Sequence, residues 1–155
     1  MGIEIERKFL VKKDLWDELI KPVPLYIKQA FVAKEDKTVV RVREYADSAK
    51  LTIKGKTTGI SKLEFEYAIP LADAQVLISE LGGPVIEKDR FHIQYKGQLW
   101  EIDVFYGDNE GLIVAEAELD SEDQLLEFPN WIKEEVSHDP RYFNSNLQSH
   151  PFKSW

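Results

Sequence analysis

A chain of 155 residues with 43% hydrophobic and 31% charged side chains can bury a core without cross-links, is too apolar for disorder, and holds no uncharged run long enough for a membrane span. Its 20 Lys and Arg against 28 Asp and Glu leave a net charge of −8, the wrong field for non-specific binding to duplex nucleic acid, although a local basic pocket can still take a small anion. The lack of cysteine excludes disulfides, thiolate zinc sites, iron–sulfur clusters and a thiol nucleophile, leaving oxygen or His ligands for any metal.

The N-terminal run Met1–Lys8 carries charge where a secretory signal needs an apolar core, and Glu6 breaks the myristoylation pattern that Met1-Gly2 suggests, so a cytosolic protein is expected. From Ile3 to Val11 polar and apolar residues alternate for most of the length, the period of a strand with two unlike faces. Seven further strands are predicted at about Leu25–Ala33, Thr38–Tyr45, Leu51–Lys56, Lys62–Ile69, Glu87–Lys96, Leu99–Tyr106 and Leu112–Leu119. Ala46-Asp47-Ser48, Lys96-Gly97-Gln98 and Gly107–Gly111 supply turns between them. Helices are predicted at Asp14–Ile20, at Leu71–Leu81, at Ser121–Leu126 behind a capping box with Gln124, and at Arg141–Leu147 behind Asp139-Pro140. Without repeats or a linker, residues 1–155 read as one α+β domain of antiparallel strands.

The polar faces of these strands are unusual. Glu4, Glu6 and Lys8 share one face, and Arg41/Arg43, Lys54/Lys56, Glu64/Glu66, Lys88/Arg90, Glu101/Asp103 and Glu116/Glu118 follow at i, i+2 spacing. At the observed 31% charge a given i, i+2 pair would be doubly charged about one time in ten, so a cause beyond simple exposure is needed. A sheet with one face in water would mix signs along each strand. Here basic pairs and acidic pairs occupy different strands, and the opposite face is apolar. A closed eight-stranded antiparallel β-barrel with the charges turned inward and short helices outside satisfies both facts, since eight strands enclose just enough room for one small ligand. Clustered carboxylates without Cys favour Mg²⁺ or Mn²⁺, and converging Lys and Arg favour phosphate oxygens.

Glu4-Ile5-Glu6-Arg7-Lys8 matches the ExExK signature of the CYTH superfamily of triphosphate tunnel metalloenzymes. The sequence resembles that family from Glu4 to about Asn144, through Arg41-Val42-Arg43, Lys54, Glu64-Phe65-Glu66, Lys88-Asp89-Arg90, Trp100–Phe105, Glu116–Leu119, Glu135–Ser137 and Arg141–Asn144 in order. The resemblance implies a tunnel binding a linear triphosphate with a divalent metal, and among members it is most similar to the inorganic triphosphatases. It assigns Lys8, Arg41, Arg43, Lys54, Lys88 and Arg90 to the triphosphate, and Glu4, Glu6, Glu64, Glu66, Asp103, Glu116 and Glu118 to Mg²⁺ or Mn²⁺. Lys8, Glu4 and Glu6 would be catalytic, with tripolyphosphate and water giving pyrophosphate and phosphate. The same resemblance leaves an adenylyl cyclase, a thiamine or nucleoside triphosphatase, or a non-catalytic triphosphate-binding module as alternatives, and it makes a homodimer one option, since family members are often dimers. One departure stands out: some bacterial members carry Tyr on the second strand where this chain has Phe31.

Gly55-Lys56-Thr57 is not a P-loop, because Lys50 stands where the first glycine is required. His92, His138 and His150 lack metal-ligand spacing, and Trp16, Trp100, Trp131 and Trp155 read as packing residues.

Overall fold

The computed structural model describes residues 2–155. Nine strands form one sheet: β1 (Ile3–Val11), β2 (Leu25–Lys34), β3 (Thr38–Glu44), β4 (Ala49–Gly55), β5 (Ser61–Ile69), β6 (Ile86–Tyr95), β7 (Gln98–Phe105), β8 (Ile113–Glu118) and β9 (Ile132–Glu135). Their order is β5-β4-β3-β2-β6-β7-β8-β1-β9, and a further antiparallel pairing of β5 with β1 closes the first eight into a ring. The expected barrel is present. The ninth strand, absent from the sequence expectation, extends β1 through Phe9 and Val11; only one of its four residues is buried, too few to leave a legible alternation.

Register decides which parity faces the lumen, and a slip of one residue would turn every charge outward. Lys8 lies opposite Glu116 and Glu6 opposite Glu118. Arg90 pairs with Asp103, Arg41 with Thr52 and Arg43 with Lys50, Lys54 with Glu64, and Glu4 with Lys62. The two-residue turn between β6 and β7 helps fix this, because Lys96 and Gly97 both adopt positive φ, 48° and 80°, the geometry of a hairpin turn whose twist suits the flanking strands.

Two apolar clusters cover much of the outer face. Phe9, Trp100, Ile102, Ala115 and Ala117 pack beneath Trp16 of α1 (Lys13–Glu18) and beneath Trp131. Ala30, Val42 and Ala49 pack beneath Ala74 and Ile78. The helix expected over Leu71–Leu81 is α-helical only as α2 (Leu71–Val76) and widens into a π-helical turn over Leu77–Leu81. No helix forms at Ser121–Leu126. Gln124 accepts the Asp120 N–H and Ser121 donates to Asp123, a turn closed by side chains, and Leu125, 93% exposed, has no core to bury against. Coverage by helices is also incomplete: Ile3, Leu63, Phe65 and Tyr67 on the outer face of β1 and β5 stay exposed.

The C-terminal segment fills one end of the barrel. Asp139 accepts the Arg141 N–H and starts a 3₁₀ turn at Pro140–Tyr142, followed by α3 (Asn144–Ser149). Tyr142 and Leu147 pack on Ile86, Phe105, Leu112 and Val114. Among the described residues no helix is long and apolar enough to cross a membrane.

Candidate active site

The ring encloses a cavity of about 1210 Å³, ample for a linear triphosphate with its counter-ions. Every residue assigned to substrate or metal from the sequence lines it except Asp103, which is fully buried beneath Lys88 and Arg90. The lining is sorted by charge. Arg41 and Arg43 on β3 and Lys88 and Arg90 on β6 face across toward Glu4 and Glu6 on β1, Glu64 and Glu66 on β5, and Glu116 and Glu118 on β8.

On the acidic side, lysines stand between carboxylates. Lys54 Nζ lies 3.3 Å from Glu4 and 3.8 Å from Glu64, and Lys62 Nζ lies 3.5 Å from Glu4 and 3.4 Å from Glu6. Burial alone would raise the Glu4 carboxyl, but Lys54, a hydrogen bond from Glu64 and the charge of Lys62 bring it down to about 2. Glu64 moves the other way, to about 7, through burial and the hydrogen bond it gives Glu4. A second pair behaves alike: burial and the charge of Glu6 push Glu116 up, while the hydrogen bond from Glu116 helps hold Glu6 at about 2. In each pair one carboxyl is the harder to ionise, so a proton and a cation compete for the same oxygens. Among the described residues no three such groups already form a metal cage. The donor chemistry nonetheless fits a hard divalent ion, since the groups are carboxylate oxygens brought together in pairs.

On the basic side the groups are held in place. Asp103 receives Lys88 at 2.8 Å and a two-point contact from Arg90 at 2.8 and 2.9 Å, a planar match of guanidinium to carboxylate. Burial pushes the Lys88 ammonium down, and Arg90 and Lys88 hold Asp103 well below the usual carboxylate range despite burial. Arg43 donates to Gln29 at 3.0 Å, and Gln29 and Lys88 both donate to Asn144 Oδ1, at 3.1 and 3.0 Å. Arg41 is different. It reaches Thr52 at 3.3 Å and only grazes Glu66 at 4.0 Å, and its Nε is a buried donor without an acceptor among the described residues. Burial and the charges of Arg43 and Arg90 bring Arg41 down to about 10. A buried guanidinium crowded by like charge and short of an acceptor is a site prepared for an anion.

Lys8 donates to the Tyr142 carbonyl at 3.3 Å and sits over the Phe143 ring. Phe31 faces Arg41 across the β2–β3 pair, lines the cavity and donates its N–H to Gln148 of α3. Lys56 also borders the cavity but lies beyond the end of β4, exposed. Three residues were missed from the sequence. Lys62 continues the inward face of Glu64 and Glu66 by one step, a signal that was available. Gln29, uncharged, carried none, and Asn144 stood in the matched run Arg141–Asn144 without a role.

Comparison with known proteins agrees with this geometry. The CYTH domain family matches residues 2–143. An inorganic triphosphatase of Acetivibrio thermocellus is 47% identical over 156 aligned positions, covering 100% of this chain and 99% of that protein. An inorganic triphosphatase of Nitrosomonas europaea is 36% identical over 148 positions, covering 93% and 95%. A crystal structure of an inorganic triphosphatase superposes with a TM-score of 0.66 at 31% identity, covering 94% of this chain and 93% of the other.

Proposed function

The chain belongs to the CYTH domain family, and on that premise we propose that it hydrolyses inorganic tripolyphosphate to pyrophosphate and phosphate within the tunnel, using a divalent metal. The observation that carries the reading is the cluster of cations around Arg41, whose buried Nε lacks an acceptor among the described residues, opposite a wall of carboxylates. A linear polyanion with metal satisfies both walls at once. Full-length relatives named as inorganic triphosphatases support this choice over the cyclase and the binding module.

In this reading Arg41, Arg43, Lys54, Lys88 and Arg90 bind the phosphoryl oxygens and align the chain along the tunnel. Phosphoryl transfer asks mainly for such positioning and charge neutralisation. Lys8, anchored by the Tyr142 carbonyl, neutralises charge that builds on the leaving pyrophosphate. One of Glu4 and Glu6 takes the proton of the attacking water, and the two, with Glu64, Glu66, Glu116 and Glu118, would hold the metal. When bound, Mg²⁺ or Mn²⁺ supplies Lewis-acid polarisation of phosphate oxygens. Asp103 is fully engaged by Lys88 and Arg90, so its role is to position them rather than to ligate metal. Residues 1–155 act as one cytosolic catalytic domain in a homodimer.

The test is phosphate release from tripolyphosphate, ATP and thiamine triphosphate, each with Mg²⁺, with Mn²⁺ and with excess chelator. Metal-dependent release fastest from tripolyphosphate is the expected result. No release from any of them by the folded protein overturns the proposal.

A further inference from the structure

The seam that closes the barrel is short, pairing Ile3 with Leu63, Glu4 with Lys62 and Ile5 with Ser61. From its centre Lys62 turns inward and places its ammonium 3.5 Å from Glu4 Oε1 and 3.4 Å from Glu6 Oε1. All three side chains are largely withdrawn from solvent, at 16%, 13% and 15% exposure. The two carboxylates on successive inward positions of β1 thus already share a cation, tethered to the opposite strand. Lys54 does not duplicate it, because Lys54 joins Glu4 to Glu64 and never reaches Glu6.

We propose that Lys62 is the resident counter-ion of Glu4 and Glu6, displaced when a divalent ion takes those carboxylates and then free to bind a phosphate oxygen of the substrate. This rests on the metal assignment of Glu4 and Glu6 made above. The reasoning is electrostatic and geometric. An ammonium and a divalent ion within about 4 Å of the same oxygens repel each other strongly in a partly buried site. An ammonium neutralises one charge, whereas Glu4 and Glu6 on successive inward positions of β1 carry two, so the divalent ion is the better partner and the lysine yields. The displaced group has somewhere to go: Lys62 lines the same cavity as the phosphate-binding cations, and its flexible four-carbon stem lets the charge swing without moving the strand. The strand itself is fixed by the Glu6 N–H donating to the Ile60 carbonyl at 3.2 Å. Metal loading would then expose a further cation to the triphosphate, so that metal binds before substrate.

The experiment titrates Mn²⁺ into substrate-free protein and reads free Mn²⁺ by electron paramagnetic resonance. It compares the natural chain with Lys62→Gln, Lys62→Arg and Lys96→Gln, the last removing a surface charge whose partner is Glu127. Loss of the internal competitor should tighten Mn²⁺ binding roughly tenfold in Lys62→Gln. Lys62→Arg and Lys96→Gln should stay within about twofold of the natural chain, the latter because Lys96 is exposed and does not line the cavity. At saturating metal, Lys62→Gln should raise KM for tripolyphosphate more than it lowers kcat. Lys62→Met repeats the titration if the Gln variant fails to fold. Binding no tighter than that of Lys96→Gln overturns the counter-ion proposal while leaving the metal assignment intact. Failure of the natural chain to bind Mn²⁺ overturns both.

Discussion

Replacing Asp103 by Asn removes one negative charge from a point where two cations converge. Asp103 and Lys88 are fully buried, and Arg90 contributes a two-point contact. After the change Arg90 keeps Glu101 at 3.2 Å and Glu116 at 3.9 Å, but Lys88 keeps only the neutral Asn144. Removing one partner of a buried pair costs about 3–5 kcal/mol because the other charge is left uncompensated. Asn retains the shape and one acceptor, which places the expectation near 3 kcal/mol, or about 6–12 °C in Tm for a domain of this size. Urea denaturation of the natural chain, Asp103→Asn, Lys88→Met and the double variant forms a cycle that isolates the pair. The double variant should be more stable than the sum of the single losses predicts, by about 2 kcal/mol, since it leaves no orphaned charge. Tripolyphosphate should recover much of the loss in Asp103→Asn, because a ligand anion replaces the missing carboxylate. A loss below about 1 kcal/mol with no coupling refutes the argument, for the cations would then have another source of compensation.

Three other outcomes follow from the tunnel. Glu64 is raised from 4.5 to about 7, so the folded, metal-free protein holds a proton that the unfolded chain releases above its lower pKa. That contribution to stability is full below pH 4.5 and is lost as pH rises through 7. Calorimetry in buffers of different ionisation heat should accordingly show Mn²⁺ binding release about one proton more at pH 6 than at pH 8, and equal release at both removes the shared proton. Phe31→Tyr places a phenol beside Arg41, where a new acid–base group should raise kcat several-fold and alter the pH–rate profile; identical kinetics would show that the position has no access to the reacting phosphate. Lys8→Ala should lower kcat about 100-fold, as loss of one preorganised charge donor does, and an unchanged rate would take Lys8 out of the site.

The inward residues of β1, β3, β5 and β8 were legible because a period of two leaves no freedom: once Ile5 is outside, Glu4 and Glu6 must be inside. Closure was legible only through the charges, whose segregation by strand makes sense around a lumen and not on an open face. Lys62 lay inside the predicted strand Lys62–Ile69 and on the parity of Glu64 and Glu66, but a single lysine beside an acidic pair does not stand out as a member of a site. The helix break at Leu77 and the turn at Ser121 were hidden for another reason. Local capping signals and apolar spacing describe what a segment can form, whereas the available core surface decides what it does form. Asp103 carried the right chemistry but an ambiguous role, since an inward carboxylate on β7 could meet a metal or a guanidinium, and only the register of β6 against β7 decides between them.

β1 has a further consequence for how the molecule comes into being. It is made first, yet its partners are β8 on one edge and β5 and β9 on the other, and the contacts of Arg7 with Glu135 and of Lys8 with Ser137 span 128 and 129 positions. Such distant pairings carry a large loop-closure penalty and form late. During synthesis the strand bearing Glu4, Glu6 and Lys8 can meet β5 early, but its Glu6–Val11 stretch must wait for β8 and β9, which are among the last strands to be made. Chemistry and completion are thereby tied together: a truncated product lacks not a peripheral segment but the neighbours of its own catalytic strand. It would display an open, charged sheet edge rather than a partial enzyme, which makes activity a direct report on whether the ring has shut.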